Sequence, residues 1–287
     1  MKIVVFDLDE TLGYFVEFGI FWSCLQNYLF EEKNNNSLTQ EDFNEILHLY
    51  PEFLRPNIIT LLKYLIHKKK SKCCNKILIY TNNQAPKEWC KRLITFFEDK
   101  LKFTLFDQII NAFKINGEIV EICRSTHDKT FNDLVKCTKI PSNSKICFLD
   151  DNYYPEMSND HVYYINIKPY IHDLDFEVMI QRFWNSSVRE KIFPQDEIYD
   201  KKEGIKDNKK YFENKMVQSF KSYDYFIVPK TKEETNIDRI ISKQILIHLQ
   251  YFFDKYKKDT SPFYKTKNTK SVKKGKKQTN RTRKRDL

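Results

Sequence analysis

Four short apolar runs, each followed by a polar residue or a turn, constrain this chain more than any other feature in it. KIVVF leads to Asp7, KILIY to Thr81 and KICFL to Asp150, and HVYYINI closes the series at Ile167. Each run is continuous rather than alternating. That is the pattern of a strand buried on both faces, and such strands belong to parallel sheets. Helical spacing fills the stretches between. Ile58, Ile59, Leu61, Leu62, Leu65 and Ile66 follow Pro56, expected as a first helical residue, and His67 to Lys70 load the last turn with cations. Trp89, Leu93, Phe96 and Phe97 follow Pro86, and Phe131, Leu134 and Val135 mark a third helix over 128–137. Strands alternating with helices predict an α/β fold on a doubly wound parallel sheet, whose ligands bind beyond the carboxyl ends of the strands. Asp7, Thr81 and Asp150 all stand at that end.

Two further regions flank this frame. An insertion at about 13–54, with helices expected over 21–31 and 40–47, follows the first strand, and Thr39 with Asp42 reads as the cap of the second helix. Its place directly after Asp7 and Asp9 suits a roof over the site or an ordinary hairpin on the sheet's edge. From about residue 186 the pattern loosens. One amphipathic helix is expected at 236–257, with Ile237, Ile240, Ile241, Ile245, Leu249, Phe252, Phe253 and Tyr256 on one stripe. The expected organisation is therefore a domain at 1–185, an extension at 186–260 and a tail at 261–287.

The candidate chemistry begins in DLDETLG, where Asp7, Asp9, Glu10 and Thr11 share a tight turn after the first strand. Two carboxylates two residues apart can face one cavity, one as nucleophile and the other as proton carrier. DxDxT after a first strand resembles the nucleophile motif of the haloacid dehalogenase superfamily of phosphatases. Three more motifs follow in the same order. Thr81 with Asn82 in KILIYTNN is similar to the second, Lys129 in HDKTFNDLV to the third, and Asp150 with Asp151 in KICFLDDNYYPEM to the fourth. DLDETL followed by RP in FLRPNIITLLKYL resembles the branch of RNA polymerase II C-terminal-domain phosphatases and nuclear-LIM-interactor-interacting-factor-like proteins. DDNYYPE, a strand and then YIHDLDFEVMIQRFW continue that likeness, which covers residues 1 to 184. Two departures stand out: the insertion reads helical where that branch has a β-hairpin-like element, and Asp151 stands where it commonly has Asn.

The resemblance implies a HAD-like Rossmannoid fold and a Mg²⁺-dependent phosphomonoester hydrolase working through an aspartyl phosphate. Asp7 is then the nucleophile and Asp9 the proton carrier, with Thr11 supporting their turn. Thr81, Asn82 and Lys129 hold the phosphoryl oxygens, with Lys136 and Lys139 as rivals to Lys129. Asp7, Asp9 through its carbonyl, Asp150 and Asp151 offer the hard oxygen ligands that Mg²⁺ prefers. The substrate implied is a phosphoserine or phosphothreonine protein.

Charge opens an alternative. Residues 261–287 hold eleven Lys or Arg and one acid, whereas the preceding 260 hold 38 of each sign, so the net charge of +10 belongs to the tail. With almost no large apolar residue after Tyr264, the tail is expected to be disordered. It suits a nuclear-import signal, a loose polyanion contact, or a tether for nucleic acid, in which case the enzyme removes 3′- or 5′-terminal phosphates. A catalytically inactive binding protein on the same fold is the remaining alternative. Seven cysteines without a CxxC pair predict neither a disulfide framework nor a zinc site, and fit a reducing compartment. With no signal-like segment and no long apolar run, the chain is expected in the cytoplasm or nucleus, away from membranes.

Overall fold

In the computed structural model, which describes residues 1–33, 38–193 and 208–256, the four apolar runs lie side by side. They are β1 (Lys2–Phe6), β2 (Lys76–Tyr80), β6 (Lys145–Asp150) and β7 (Val162–Asn166), joined by a short β3 (Gln108–Ile110). The order is β3-β2-β1-β6-β7, every pairing parallel, with Phe6 opposite both Ile79 and Leu149. This register brings Asp7, Thr81 and Asp150 to one edge of the sheet. Alternate residues of each strand feed two cores. Ile3, Val5, Leu78, Ile146 and Phe148 pack with Leu134 and Met157 on one face, and Val4, Phe6, Ile77, Ile79 and Leu149 join the larger core on the other.

Helices α1 (Val16–Lys33), α2 (Gln40–His48), α3 (Ile58–Lys70), α4 (Lys87–Leu101), α5 (Phe131–Thr138) and α6 (Phe176–Trp184) fill the connections, and α7 (Ser187–Ile192), α8 (Asn208–Lys221) and α9 (Lys232–Lys255) follow. The insertion is helical, and α1 begins five residues before the predicted start at Phe21. Thr39 and Asp42 form the reciprocal cap of α2, each bonding the other's backbone N–H. Other starts differ from the sequence pattern. Asn57 adopts a left-handed conformation (φ 60°) at the cap of α3, so Pro56 lies outside that helix. Thr130 caps α5 by accepting from the Asp133 N–H at 3.0 Å, which leaves residues 128–130 in a non-helical approach.

Two elements carry too little pattern to be predicted from apolar runs. β3 has only three residues, and the hairpin of β4 (Lys114–Ile115) and β5 (Glu118–Ile119) has two per strand. Asn116 and Gly117 turn that hairpin at φ 51° and 85°, the left-handed pair that a two-residue turn requires.

Met1–Tyr256 forms one compact unit, so the boundary expected near residue 186 falls inside it. α8 rests on α1 and α6, with Phe220 stacked on Phe176 at 3.8 Å between centroids. α9 buries Asp238, Ser242, Ile245, Leu249, Phe252 and Phe253, while Ile237 and Ile240 of the predicted stripe face outward. The helix is rotated from the expected setting because Asp238 turns inward to pair with Lys230. The cysteine expectation also needs correction: Cys123 and Cys137, 5.0 Å apart at Cα, form a disulfide that no motif spacing announces. The predicted basic tail at 261–287 lies outside the described residues. Among the described residues, no helix is long and apolar enough to cross a membrane.

Candidate active site

The turn after β1 is built by hydrogen bonds to its neighbours. Asp7 N–H donates to the Leu149 carbonyl at 2.8 Å, carrying the β1–β6 ladder one residue past the strand. Glu10 takes a left-handed φ of 52°, which curls the chain so that Leu12 N–H reaches the Leu8 carbonyl at 2.9 Å. Arg55, fully buried, fixes the curl: its Nε donates to the Thr11 carbonyl at 2.7 Å and its Nη2 to the carbonyls of Glu10 and Lys168. This is what the RP dipeptide does in the fold.

Lys129 is the centre of the site. Its ammonium, 1% exposed, lies between Asp7 Oδ1 and Asp150 Oδ2, the latter at 2.6 Å. Lys136 and Lys139 are exposed on and after α5, so the geometry chooses among the three candidates. Burial alone lowers the Lys129 pKa, but Asp7 and Asp150 outweigh it and the net direction is upward, so the cation stays charged. Asp150 is pushed up by its own burial against the pull of Lys129. Its other oxygen accepts from Asn152 N–H at 3.0 Å.

Asp9 points to a different partner. Its Oδ2 accepts from Asn83 Nδ2 at 2.7 Å, and burial first, then the Asp7 charge, raises its pKa to about 7. Asn83 is held in turn, its N–H on Thr81 Oγ1 at 3.0 Å and its Oδ1 on Ala85 N–H at 2.8 Å. Asn82 faces away from Asp9, donating to the Tyr154 hydroxyl at 3.0 Å. Thr11 Oγ1 donates to Asp151 Oδ1 at 3.3 Å, linking the first turn to the turn after β6.

Oxygens of Asp7, Asp150 and Asp151 lie within 4.8 Å of one another, a group able to hold a metal ion. These donors are all hard oxygens, which fits a divalent cation of the Mg²⁺ class. Lys129 occupies Asp7 Oδ1 and Asp150 Oδ2, and Asp151 accepts from Thr11 Oγ1 and Asn152 Nδ2. The carboxylate of Asp9 does not belong to this group.

Arg124 is a site residue that the sequence reading missed. Buried under Tyr80, with its guanidinium 4.8 Å from the ring centre, it donates to Thr81 O at 3.1 Å, Asn111 O at 2.8 Å and Asn82 Oδ1 at 2.8 Å. The same guanidinium reaches the carbonyls of His127 and Asp128, so one side chain positions both the Thr81 turn and the approach to Lys129. No local motif marks such a residue, because its five acceptors come from three separate segments. Asn83 was missed too, although its place two residues after Thr81 was a usable signal.

Comparison of the chain with protein-family models, with curated proteins and with solved structures found no match. A functional reading therefore rests on the site's own residues.

Proposed function

We propose that this protein is a phosphomonoester hydrolase that works through an aspartyl phosphate on Asp7. The observation that carries the reading is the contrast between two carboxylates on one turn. Asp7 is held against a buried lysine, and Asp9, two residues on, has a pKa near 7.

A phosphate monoester dianion repels an attacking carboxylate, so the site must first neutralise it. Lys129 supplies a fixed cation, and the Thr81 hydroxyl with the Asn82 N–H supplies donors for the phosphoryl oxygens. Asp7 Oδ2, which has no protein partner among the described residues, attacks phosphorus while the P–O bond to the leaving group breaks. Asp9 gives its proton to the departing oxygen. Water then attacks the aspartyl phosphate, Asp9 takes a proton from it, and inorganic phosphate leaves with Asp7 restored. A bound Mg²⁺, held by Asp7, Asp150 and Asp151, would add charge neutralisation at the phosphoryl oxygens. A phosphoserine or phosphothreonine protein is the substrate we propose from the motif resemblance.

The test is Mg²⁺-dependent hydrolysis of 4-nitrophenyl phosphate beside Asp7→Asn. Turnover that disappears in the variant supports the reading. Equal rates for both proteins, or no turnover on this substrate and on phosphopeptides, would overturn it.

A further inference from the structure

Asp9 and Asn83 are also part of the wall of a cavity of about 520 Å³ between α1 and the start of α4. The volume lies in the range of pockets that take whole small molecules, well above what a phosphate needs. Its direction matters. In the reaction proposed above, on which this inference rests, Asp9 protonates the leaving oxygen, so the leaving group's carbon skeleton lies on the Asp9 side and enters this cavity.

Beyond Asp9 the carbon surface of the wall comes from Phe15, Val16 and Ile20 of the segment opening α1, Trp89 of α4 and Tyr223 after α8, and polar side chains, Glu88 among them, make up the rest. Trp89 is half-buried, Tyr223 is exposed, and both line the cavity. Arg92 is the one cation among the described residues of the wall. It donates to Thr39 O at 3.2 Å and lies over the rings of Trp22 at 5.4 Å and Phe43 at 5.9 Å. Against this single cation the wall holds two carboxylates, Asp9 and Glu88, which disfavours a second anionic group on the substrate. Gly19 completes the shape. A Cβ at this position would meet only the Trp89 ring, at 3.4 Å, and a longer side chain would extend beside that ring.

We infer that the cavity receives the leaving group, and that the substrates preferred are phosphomonoesters whose leaving alcohol carries an uncharged aromatic ring. Flat rings gain stacking or edge contacts with Trp89 and Tyr223 beyond the area they bury. The ring can belong to a small alcohol or to a side chain next to a phosphorylated residue.

The experiment compares 3-phenylpropyl phosphate with propyl phosphate, whose leaving oxygens are chemically alike and which differ by the ring. The expected kcat/KM ratio is at least about tenfold in favour of the ring, since one well-packed ring contributes more than the 1.4 kcal/mol that a factor of ten represents. Gly19→Val, which fills the space beside Trp89, should reduce the ratio to about one. Val16→Glu, at an exposed position that the core does not use, should do the same by placing a carboxylate on the apolar side of the wall. Phosphoserine peptides with Phe or Ala beside the phosphorylated residue tell a side-chain ring from a small alcohol. A ratio near one in the unaltered protein, or a ratio that both variants leave intact, overturns the inference. Binding of 3-phenylpropylphosphonate against propylphosphonate, followed by calorimetry, separates the two claims. Ring-selective binding lost in Gly19→Val, without turnover of any ester, keeps the pocket and overturns the hydrolase; equal binding of the two phosphonates overturns the pocket.

Discussion

Two of the places where the described residues bury carboxylates solve the problem in opposite ways. At the end of the central strands, Asp7 and Asp150 share the ammonium of Lys129. At the start of α1, Glu17 is fully buried without a cation: its Oε2 accepts from Leu174 N–H at 2.8 Å, and Oε1 has no hydrogen-bond partner among the described residues. Burial, with Asp173 and Asp175 nearby, raises the Glu17 pKa to about 8, so this group is neutral at pH 7. A buried carboxylate without a cation takes up a proton and serves as packing. A fixed cation gives the carboxylate a counter-charge, and in the reaction proposed here it is an oxygen so paired, on Asp7, that attacks phosphorus. The difference between the two places lies in one lysine.

Lys129→Met breaks that contrast most severely. Two buried acids lose their counter-charge, and the expected cost is about 3–5 kcal/mol of stability together with loss of hydrolysis, read by denaturant unfolding and by the phosphatase assay. Asp7→Asn keeps the shape of the site and removes the proposed nucleophile. It should lower kcat by about a thousandfold or more while leaving the unfolding midpoint close to that of the parent, and a smaller loss would assign the attack to another group.

A third buried acid sharpens the comparison. Asp238 of α9 pairs with Lys230, whose ammonium also lies 4.3 Å from the Tyr170 ring centre. Tyr170 N–H donates to the Glu10 carbonyl at 2.8 Å, so this pair braces the active-site turn from outside. Lys230→Met should cost about 2–3 kcal/mol, less than Lys129→Met because its side chain keeps some contact with water. Hydrolysis by the folded fraction should persist, since Arg55 still holds the turn.

The smallest effect belongs to Glu17. Its folded pKa near 8 lies above an ordinary value of 4.5, so between these values the folded protein binds a proton that the unfolded chain has released. Stability therefore falls as pH rises through that window. Glu17→Gln should flatten this slope and stabilise the protein by about 1–2 kcal/mol at pH 8, measured as unfolding midpoints between pH 5 and pH 8. A slope unchanged by the substitution would place the titration elsewhere.

How far the sequence carried these conclusions depends on whether the information was local. Asp7, Asp9, Thr81 and Asp150 were legible because each follows a continuous apolar run, and parallel pairing then aligns the run ends. Lys129 is favoured over Lys136 and Lys139 by its spacing to Asp150, but the two carboxylates that flank its ammonium were visible only once β1 and β6 lay side by side. Arg124 was not legible at all, because what defines it is a set of acceptors from segments as far apart as Thr81 and Asp128. The same holds for the cavity. Gly19, Trp89 and Tyr223 meet across some two hundred residues of chain, and helical periodicity says nothing about which faces meet. Of the α9 stripe, Ile245, Leu249 and Phe252 turned inward as the spacing implied, but Asp238 fixed the rotation, and an apolar count gives no weight to an aspartate.

The central claim is that Asp7 becomes phosphorylated. It is tested most directly by quenching the enzyme during turnover of 4-nitrophenyl phosphate, reducing with borohydride and sequencing the peptide that spans the first strand by mass spectrometry. An acyl phosphate on Asp7 is reduced to homoserine at that position, and the account predicts this product in the unaltered protein and its absence in Asp7→Asn. Sustained turnover with position 7 recovered only as aspartate, or with the reduced residue elsewhere in the chain, would contradict it.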